Sequence, residues 1–311
     1  MTPSDARESI LLGIGRAQAP GTCGELAQGM LRGDHVQVTC PIDLYSTASV
    51  ELLEGTGKVC GPEDSPKARR GIELALAFFE RADVDARLRL QSPLPRGKGM
   101  GSSTADVAAA VVATAEALSV HISPDDVARI ALKVEPSDGL MLPGIALFDH
   151  RDGKVAQLLG PAPAMRVLVL DFGGTVPTVS FNAVDRTVAL KRLEPRLTKA
   201  LDLITEGLRI GDVDLIGRGA TLSAQLHQRV LPKPQLSQVL EFAQDMSAAG
   251  VNVAHSGTVL GVLLSDDGTL ADRAVQKAWQ RLSGLRAIFS QRLVDGGVNS
   301  GERARPQETQ R

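Results

Sequence analysis

Aromatic residues are scarce in this chain: seven Phe, one Tyr and one Trp among 311 positions. So few rings leave no base-stacking surface for single-stranded nucleic acid. Charge of one sign is not in excess either. The 34 Lys and Arg against 36 Asp and Glu give a formal net charge of −2. That balance removes a general attraction to nucleic acid or to an anionic membrane. Cys23, Cys40 and Cys60 are odd in number, and no two have zinc-finger spacing. Cys23 and Cys40 flank apolar or turn-rich stretches and read as small buried thiols. No apolar run approaches the roughly 18 residues of a membrane span. The N-terminal stretch places acidic residues before a short apolar patch and lacks the basic region of a secretory signal. These absences leave a soluble, cytoplasmic enzyme or ligand-binding protein as the expectation.

What is present is an ordinary globular composition, 43% hydrophobic and 23% charged. At about 150 residues per domain, the length suggests two lobes. Alternating patterns predict strands at 36–41, 46–53 and 86–91, and helical periodicity appears at 67–82. Residues 1–12 read as a frayed segment or a short helix. Ser123-Pro124-Asp125-Asp126 is a helix start with Ser123 as N-cap, and that helix should end before Pro136. A hairpin is predicted from 144–149 and 154–159, and a buried strand at 165–172. Helices follow at 184–206, 212–229, 235–249 and 271–283, with strands at 251–254, 258–264 and 285–290. The pattern is α+β, with a boundary near the Gly160-Pro161-Ala162-Pro163 linker. The division predicted is 1–160, 161–294 and a disordered polar tail at 295–311.

The most informative stretch is 93–118. A loop holding Pro95, Gly97, Lys98, Gly99, Met100 and Gly101 leads into a helix opening at Ser102, Ser103 and Thr104. Glycine lets a backbone approach a ligand closely. A helix N-terminus offers unpaired N–H groups and a positive dipole end, which suit a phosphate chain. A serine hydroxyl there can coordinate Mg²⁺. Ala105, Ala108, Ala109, Ala110 and Ala113 would let that helix pack closely on a sheet. This is not a Walker A loop, because Lys98 precedes Gly99 instead of Ser or Thr. Nor is there the acidic residue that a dinucleotide fingerprint needs about 20 residues on.

The same motif resembles the second signature of the GHMP kinases, roughly P-x-x-x-G-L-G-S-S-A-A. Pro20 to Gly29 (PGTCGELAQG) is similar to the N-terminal signature of that family, and Ala254 to Gly261 (AHSGTVLG) to its C-terminal glycine-rich signature. The three occur in the family's order, and the resemblance spans most of residues 15–290. It implies a two-lobed α+β fold, with an N-terminal lobe like domain 2 of ribosomal protein S5 and a ferredoxin-like C-terminal lobe. It also implies a soluble ATP- and Mg²⁺-dependent kinase of a small molecule, without nucleic-acid or membrane partners. Cys23-Gly24-Glu25-Leu26, Cys40 to Thr47, Lys98 to Asp106, Glu135-Pro136-Ser137-Asp138 and Ala254 to Gly257 resemble the family branch that phosphorylates L-threonine for the nucleotide loop of cobalamin.

The resemblance implies ATP contacts from Pro95 through Thr104 and a Mg²⁺ shell completed by Ser103 and Glu135. Asp138 is the candidate base, since a carboxylate beside a metal stays ionised and can take the acceptor's proton. Mevalonate kinases carry a lysine in the first signature where this chain has Thr22, which shifts the burden to Asp138. For an amino-acid acceptor, Asp43 or Glu25 would pair with the ammonium. His255, Ser256 or Gly257 would reach the carboxylate or the γ-phosphate. A turn carboxylate at Asp43, a surface charge at Glu25 and a core histidine at 255 are the structural alternatives. His35, His121, His150 and His227 give no metal spacing.

His150-Arg151-Asp152 and Asp171-Phe172-Gly173 imitate protein-kinase loops, but the Asn needed five residues after Asp152 is Gln157. That imitation is read as chance. Two functional rivals stay open: a homoserine kinase, or another small-molecule kinase of the family, and a non-catalytic ligand sensor on the same fold.

Overall fold

The computed structural model describes residues 10–176 and 184–300. Its spine is a hairpin of two 21-residue strands, β1 (Leu11–Leu31) and β2 (Asp34–Glu54). They meet at Arg32-Gly33, where both residues have positive φ. Two such residues form the turn whose twist matches a right-handed hairpin. β1 is the one long element the sequence patterns did not disclose. Gly13, Gly15, Pro20, Gly21, Gly24 and Gly29 interrupt its alternation, and its register against β2 shifts near Pro20, Thr22 and Glu25. These irregularities bend the strand. They also bring its middle, residues 22–25, to the functional site described below.

The N-terminal elements continue with β3 (Val59–Cys60), α1 (Pro66–Phe78), β4 (Val84–Gln91), α2 (Ser102–Ala117) and α3 (Pro124–Val134). Ser123 caps α3 by accepting from the Asp126 amide, and the helix ends at Val134, before Pro136. A hairpin of β5 (Ile145–Asp149) and β6 (Ala156–Gly160) follows, with Asp152-Gly153 at its turn. β7 (Met165–Asp171) opens the second half. α4 (Thr187–Ile210), α5 (Val213–His227), α6 (Leu236–Asp245), β8 (Gly250–Val253), β9 (Leu260–Ser265), α7 (Gly268–Arg281), β10 (Ala287–Arg292) and β11 (Asn299–Ser300) complete it.

The strands join in one sheet of order β10-β7-β9-β8-β1-β2-β4-β3, antiparallel except between β3 and β4. α2 is the centre of the first half, and 14 of its 16 residues are buried. Its alanines and glycines on β1 explain the close fit: a methyl added at Gly13 or Gly15 would overlap the carbonyl oxygen of Ala117 or Ala113. In the second half, β7 alternates its faces. Val167 and Val169 join the core shared with Leu197, Leu201 and Ile204 of α4. Leu168 and Leu170 pack with Val239 and Phe242 of α6 and Ala274 of α7.

Two expectations at the ends change. Leu11 starts a strand, not a helix, and residues 1–9 lie outside the described residues. Residues 295–300, expected to be disordered, are packed. Gly296 N donates to Gly144 O, Gly297 N donates to Leu140 O, and β11 pairs with Ala17 and Gln18 of β1. Backbone pairing holds this polar stretch without any apolar pattern. The rest of the expected tail, 301–311, lies outside the described residues.

Candidate active site

Three glycine-rich segments from distant parts of the chain converge. Thr22 N donates to Met100 O (2.9 Å) and Gly24 N to Gly99 O (3.1 Å), which ties β1 to the 97–101 loop. On the other side, Thr258 N and Val259 N both donate to Lys98 O (2.8 and 3.1 Å). Gly97, Gly99 and Gly101 all have positive φ, and Gly101 in the left-handed region is the N-cap of α2. A methyl built at Gly101 would lie 3.1 Å from Thr22 Oγ1 and 3.2 Å from Asp138 Oδ2, so these two side chains flank the helix entrance. The glycines therefore serve backbone shape and close approach together.

This junction opens on a cavity of about 430 Å³. Its wall includes Glu25, Lys67, Arg96, Gly97, Gly99 to Thr104, Glu135, Asp138, His255 and Ser256. The helix N-terminus thus points its free N–H groups at the same space that the carboxylates border.

Ser103 Oγ donates to Glu135 Oε1, and Lys67 Nζ pairs with Glu135 Oε2 at 2.6 Å. The residues expected to share a metal are therefore adjacent, and the lysine from α1 is a partner the sequence motifs did not indicate. Thr104 faces Asp138, whose backbone N donates to its Oγ1 at 3.3 Å. Burial, followed by the negative charge of Glu135, raises the Asp138 carboxyl to about 6. Glu25, expected to be either a substrate ligand or a surface charge, is 3% exposed. Its Oε2 has no hydrogen-bond partner among the described residues, and burial with the nearby Asp138 pushes its carboxyl well up.

Lys98 and Pro95 do not line the cavity. The Lys98 ammonium turns away to Asp171, 3.0 Å from the carboxylate, and Gly173 N donates to the same group at 2.7 Å. Lys98 is thus paired with Asp171 and does not face the cavity, and the Asp-Phe-Gly segment supplies its partner. Lys98→Met is expected to lower stability by about 1–3 kcal/mol, below the cost of breaking a fully buried pair because both groups keep some solvent. ADP affinity, measured by calorimetry, is expected to stay within about threefold, and a larger loss would return Lys98 to the phosphate site.

Asp43 is likewise not brought to the cavity; its Oδ1 accepts from Arg292 N at 2.8 Å. This bond from Arg292 N to the Asp43 carboxylate ties β10 to β2. Gly257 packs against Lys98 and Gly99 of the 97–101 loop, and its carbonyl accepts from the Lys233 ammonium. Burial lowers that lysine to about 8.

Four of the five histidines form a cluster that spacing did not reveal. His35 and His150 have ring centroids 6.0 Å apart, His150 and His255 4.8 Å, and His227 and His255 5.6 Å. Burial keeps His150 and His227 near 3 and pushes His255 well below the usual imidazole range, so these three rings are neutral at pH 7. Gln28 Nε2 donates to Val253 O, so its Oε1 accepts, and His255 Nδ1, 2.7 Å away, carries the proton. Among the described residues no group of three or more His, Cys, Asp or Glu is arranged to hold a metal. Cys23 and Cys40 are buried thiols, as expected, and Cys60 is exposed.

The fold and the convergence of these three segments can be set beside known proteins. The family description "GHMP kinases N terminal domain" matches residues 69–146, and "GHMP kinases C terminal" matches residues 199–281. An L-threonine kinase of Salmonella typhimurium is 32% identical, covering 91% of this chain and 94% of its own length. An L-threonine kinase of Citrobacter freundii is 33% identical over 80% of this chain and 85% of its own. The crystal structure of a homoserine kinase from Cytophaga hutchinsonii superposes with a TM-score of 0.71 at 16% identity, covering 96% of this chain and all of that one (100%). The chain belongs to the GHMP kinase family.

Proposed function

We propose that this chain transfers the γ-phosphoryl group of ATP to the side-chain hydroxyl of L-threonine, giving L-threonine O-3-phosphate. The observation that carries the reading is one cavity bordered by the N-terminus of α2, the Ser103–Glu135 pair and the buried carboxyls of Asp138 and Glu25. The likeness to two L-threonine kinases over most of the chain supports the choice of acceptor.

The donor set suits the implied cofactors. A hydroxyl and a carboxylate, hydrogen-bonded to each other at a helix N-terminus, match the hard oxygen ligands of Mg²⁺, which keeps waters and phosphate oxygens for its other positions. When bound, Mg²⁺ and ATP supply charge neutralisation and the phosphoryl group. The backbone of Gly97, Gly99, Met100 and Gly101 and the first turn at Ser102 to Thr104 hold the phosphates. Asp138 orients the acceptor hydroxyl and takes its proton. Glu25 binds the ammonium, whose positive charge favours the ionised carboxylate there. His255 presents an acceptor at Nε2 in the tautomer that Gln28 fixes, so the acceptor's carboxylate falls to the Ser256 hydroxyl.

We place the lobes at 1–160 and 161–294, each with one of the family matches inside it. We assign the product to nucleotide-loop synthesis of cobalamin and the chain to the cytoplasm; no described helix is long and apolar enough to cross a membrane. Ser103→Ala is expected to raise the Mg²⁺ concentration for half-maximal turnover about tenfold, and an unchanged titration would remove Ser103 as a ligand.

The direct test is ADP release with Mg-ATP against L-threonine, L-homoserine and L-serine, with the product identified by ³¹P NMR. Turnover strongest with L-threonine is expected. Homoserine differs by the position of one carbon, and a methyl-sized difference is worth only about 1–3 kcal/mol of discrimination. Strongest turnover with homoserine would replace the acceptor while keeping the kinase. ATP binding without turnover on any of the three would favour the ligand sensor.

A further inference from the structure

Lys67 is the one cation in direct contact with the proposed metal carboxylate among the described residues, and no motif marks it. It stands in the first turn of α1, with 44% of its side chain exposed, while the Glu135 side chain is 10% exposed. Its ammonium lies 2.6 Å from Glu135 Oε2, and the other oxygen of that carboxylate accepts from Ser103 in the first turn of α2. Both Lys67 and Glu135 border the cavity.

A phosphate chain held by the first turn of α2 must lie close to Glu135, and the two repel each other. Asp138, whose carboxyl is raised partly by Glu135, adds a second carboxylate to the same wall. An ammonium on a flexible four-carbon stem is a mobile point charge that can change partners without moving the backbone. We propose that Lys67 is a nucleotide ligand: it neutralises Glu135 while the site lacks a metal, and it turns to a phosphate oxygen of the nucleotide when the site is filled. The proposal rests on the kinase reading of this cavity and adds a phosphate contact from α1, outside the glycine-rich loop.

The phosphate contact has to be separated from simple neutralisation of Glu135, and a double-mutant cycle on ADP affinity does this. ADP binding is measured by calorimetry, in EDTA and in Mg²⁺, for wild type, Lys67→Met, Lys67→Arg, Glu135→Gln and the Lys67→Met/Glu135→Gln pair. Lys67→Met is expected to weaken ADP binding about tenfold or more in both media, with Lys67→Arg within about threefold of wild type. In EDTA, the loss caused by Lys67→Met is expected to persist in the Glu135→Gln background, because a phosphate contact does not depend on that carboxylate. A loss that disappears in the Glu135→Gln background would overturn the proposal and reduce Lys67 to a counter-ion. ADP affinity within twofold of wild type in Lys67→Met would overturn it as well. Both outcomes leave the kinase reading standing, whereas a wild-type chain that binds no ADP in Mg²⁺ sinks the two together. Melting curves run alongside exclude misfolding, which is not expected at a side chain so exposed.

Discussion

Asp138→Asn is expected to lower kcat by about 10²–10⁴, the usual contribution of a positioned acid or base, while ATP affinity stays within a few-fold. The amide keeps the size of the side chain and the backbone bond to Thr104, but it cannot accept the hydroxyl's proton. Normal turnover would remove Asp138 as the base. The pH dependence follows from the same burial. A base works ionised, so kcat/KM should rise with pH through an apparent pKa of about 6, the value set by burial and by Glu135. With the Mg²⁺ proposed at Glu135 bound, its positive charge should move that limb lower.

Stability runs the opposite way. The folded-state value lies above the ordinary 3.8, so the folded chain holds this proton more tightly than the unfolded one. Its stabilising contribution is fully present below the ordinary value and is lost as pH rises through about 6. Above that pH the buried carboxylate costs on the order of 2–3 kcal/mol. Asp138→Asn should therefore melt higher than wild type at pH 8 and show a smaller gain at pH 5. A thermal melt at both values tests this. An equal shift at the two pH values would mean that the carboxylate is not strained by its surroundings.

The second large effect is expected at Gly257→Ala. A methyl there overlaps Lys98 O and Gly99 N, both backbone atoms of the phosphate loop. The loop has little freedom to yield, because Lys98 O already accepts from Thr258 N and Val259 N, and Gly99 O accepts from Gly24 N. Overpacking of this kind costs about 1–3 kcal/mol, and the displaced loop should lose at least about tenfold in ADP affinity. Calorimetry with ADP and a thermal melt measure the two parts. Wild-type ADP affinity in this variant would show that Gly257 does not set the loop's position.

The strands and helices that were legible carry a local pattern that matches their burial. β4 and α3 show one buried face, β7 and α2 a nearly unbroken run of apolar or small residues buried on all sides, and α3 even shows its N-cap, Ser123, in the sequence. β1 was illegible because glycines and a proline meet needs that local pattern does not encode, close packing under α2 and shifts of register. Part of the candidate site was legible for the same reason in reverse. Glycines clustered before a pair of serines mark a backbone shaped for close approach, and Glu135 and Asp138 share one short segment. Asp43 and Lys98 looked equally suited by residue type. Arg292 N and Asp171 take them out of the cavity, and neither partner is near in sequence.

The sequence by itself determined the family, the order of its three glycine-rich segments and the placement of a helix N-terminus after the central one. These depend on residues close together along the chain, where steric freedom and hydrogen-bonding capacity can be read directly. Only the tertiary structure decided that Lys67 meets Glu135, that Glu25 is buried beside Asp138 and that His35, His150, His227 and His255 gather in one cluster. A charged or imidazole side chain has the same local signature whether it faces water or another group. Its role is fixed by what the fold packs against it and by how much solvent that packing removes.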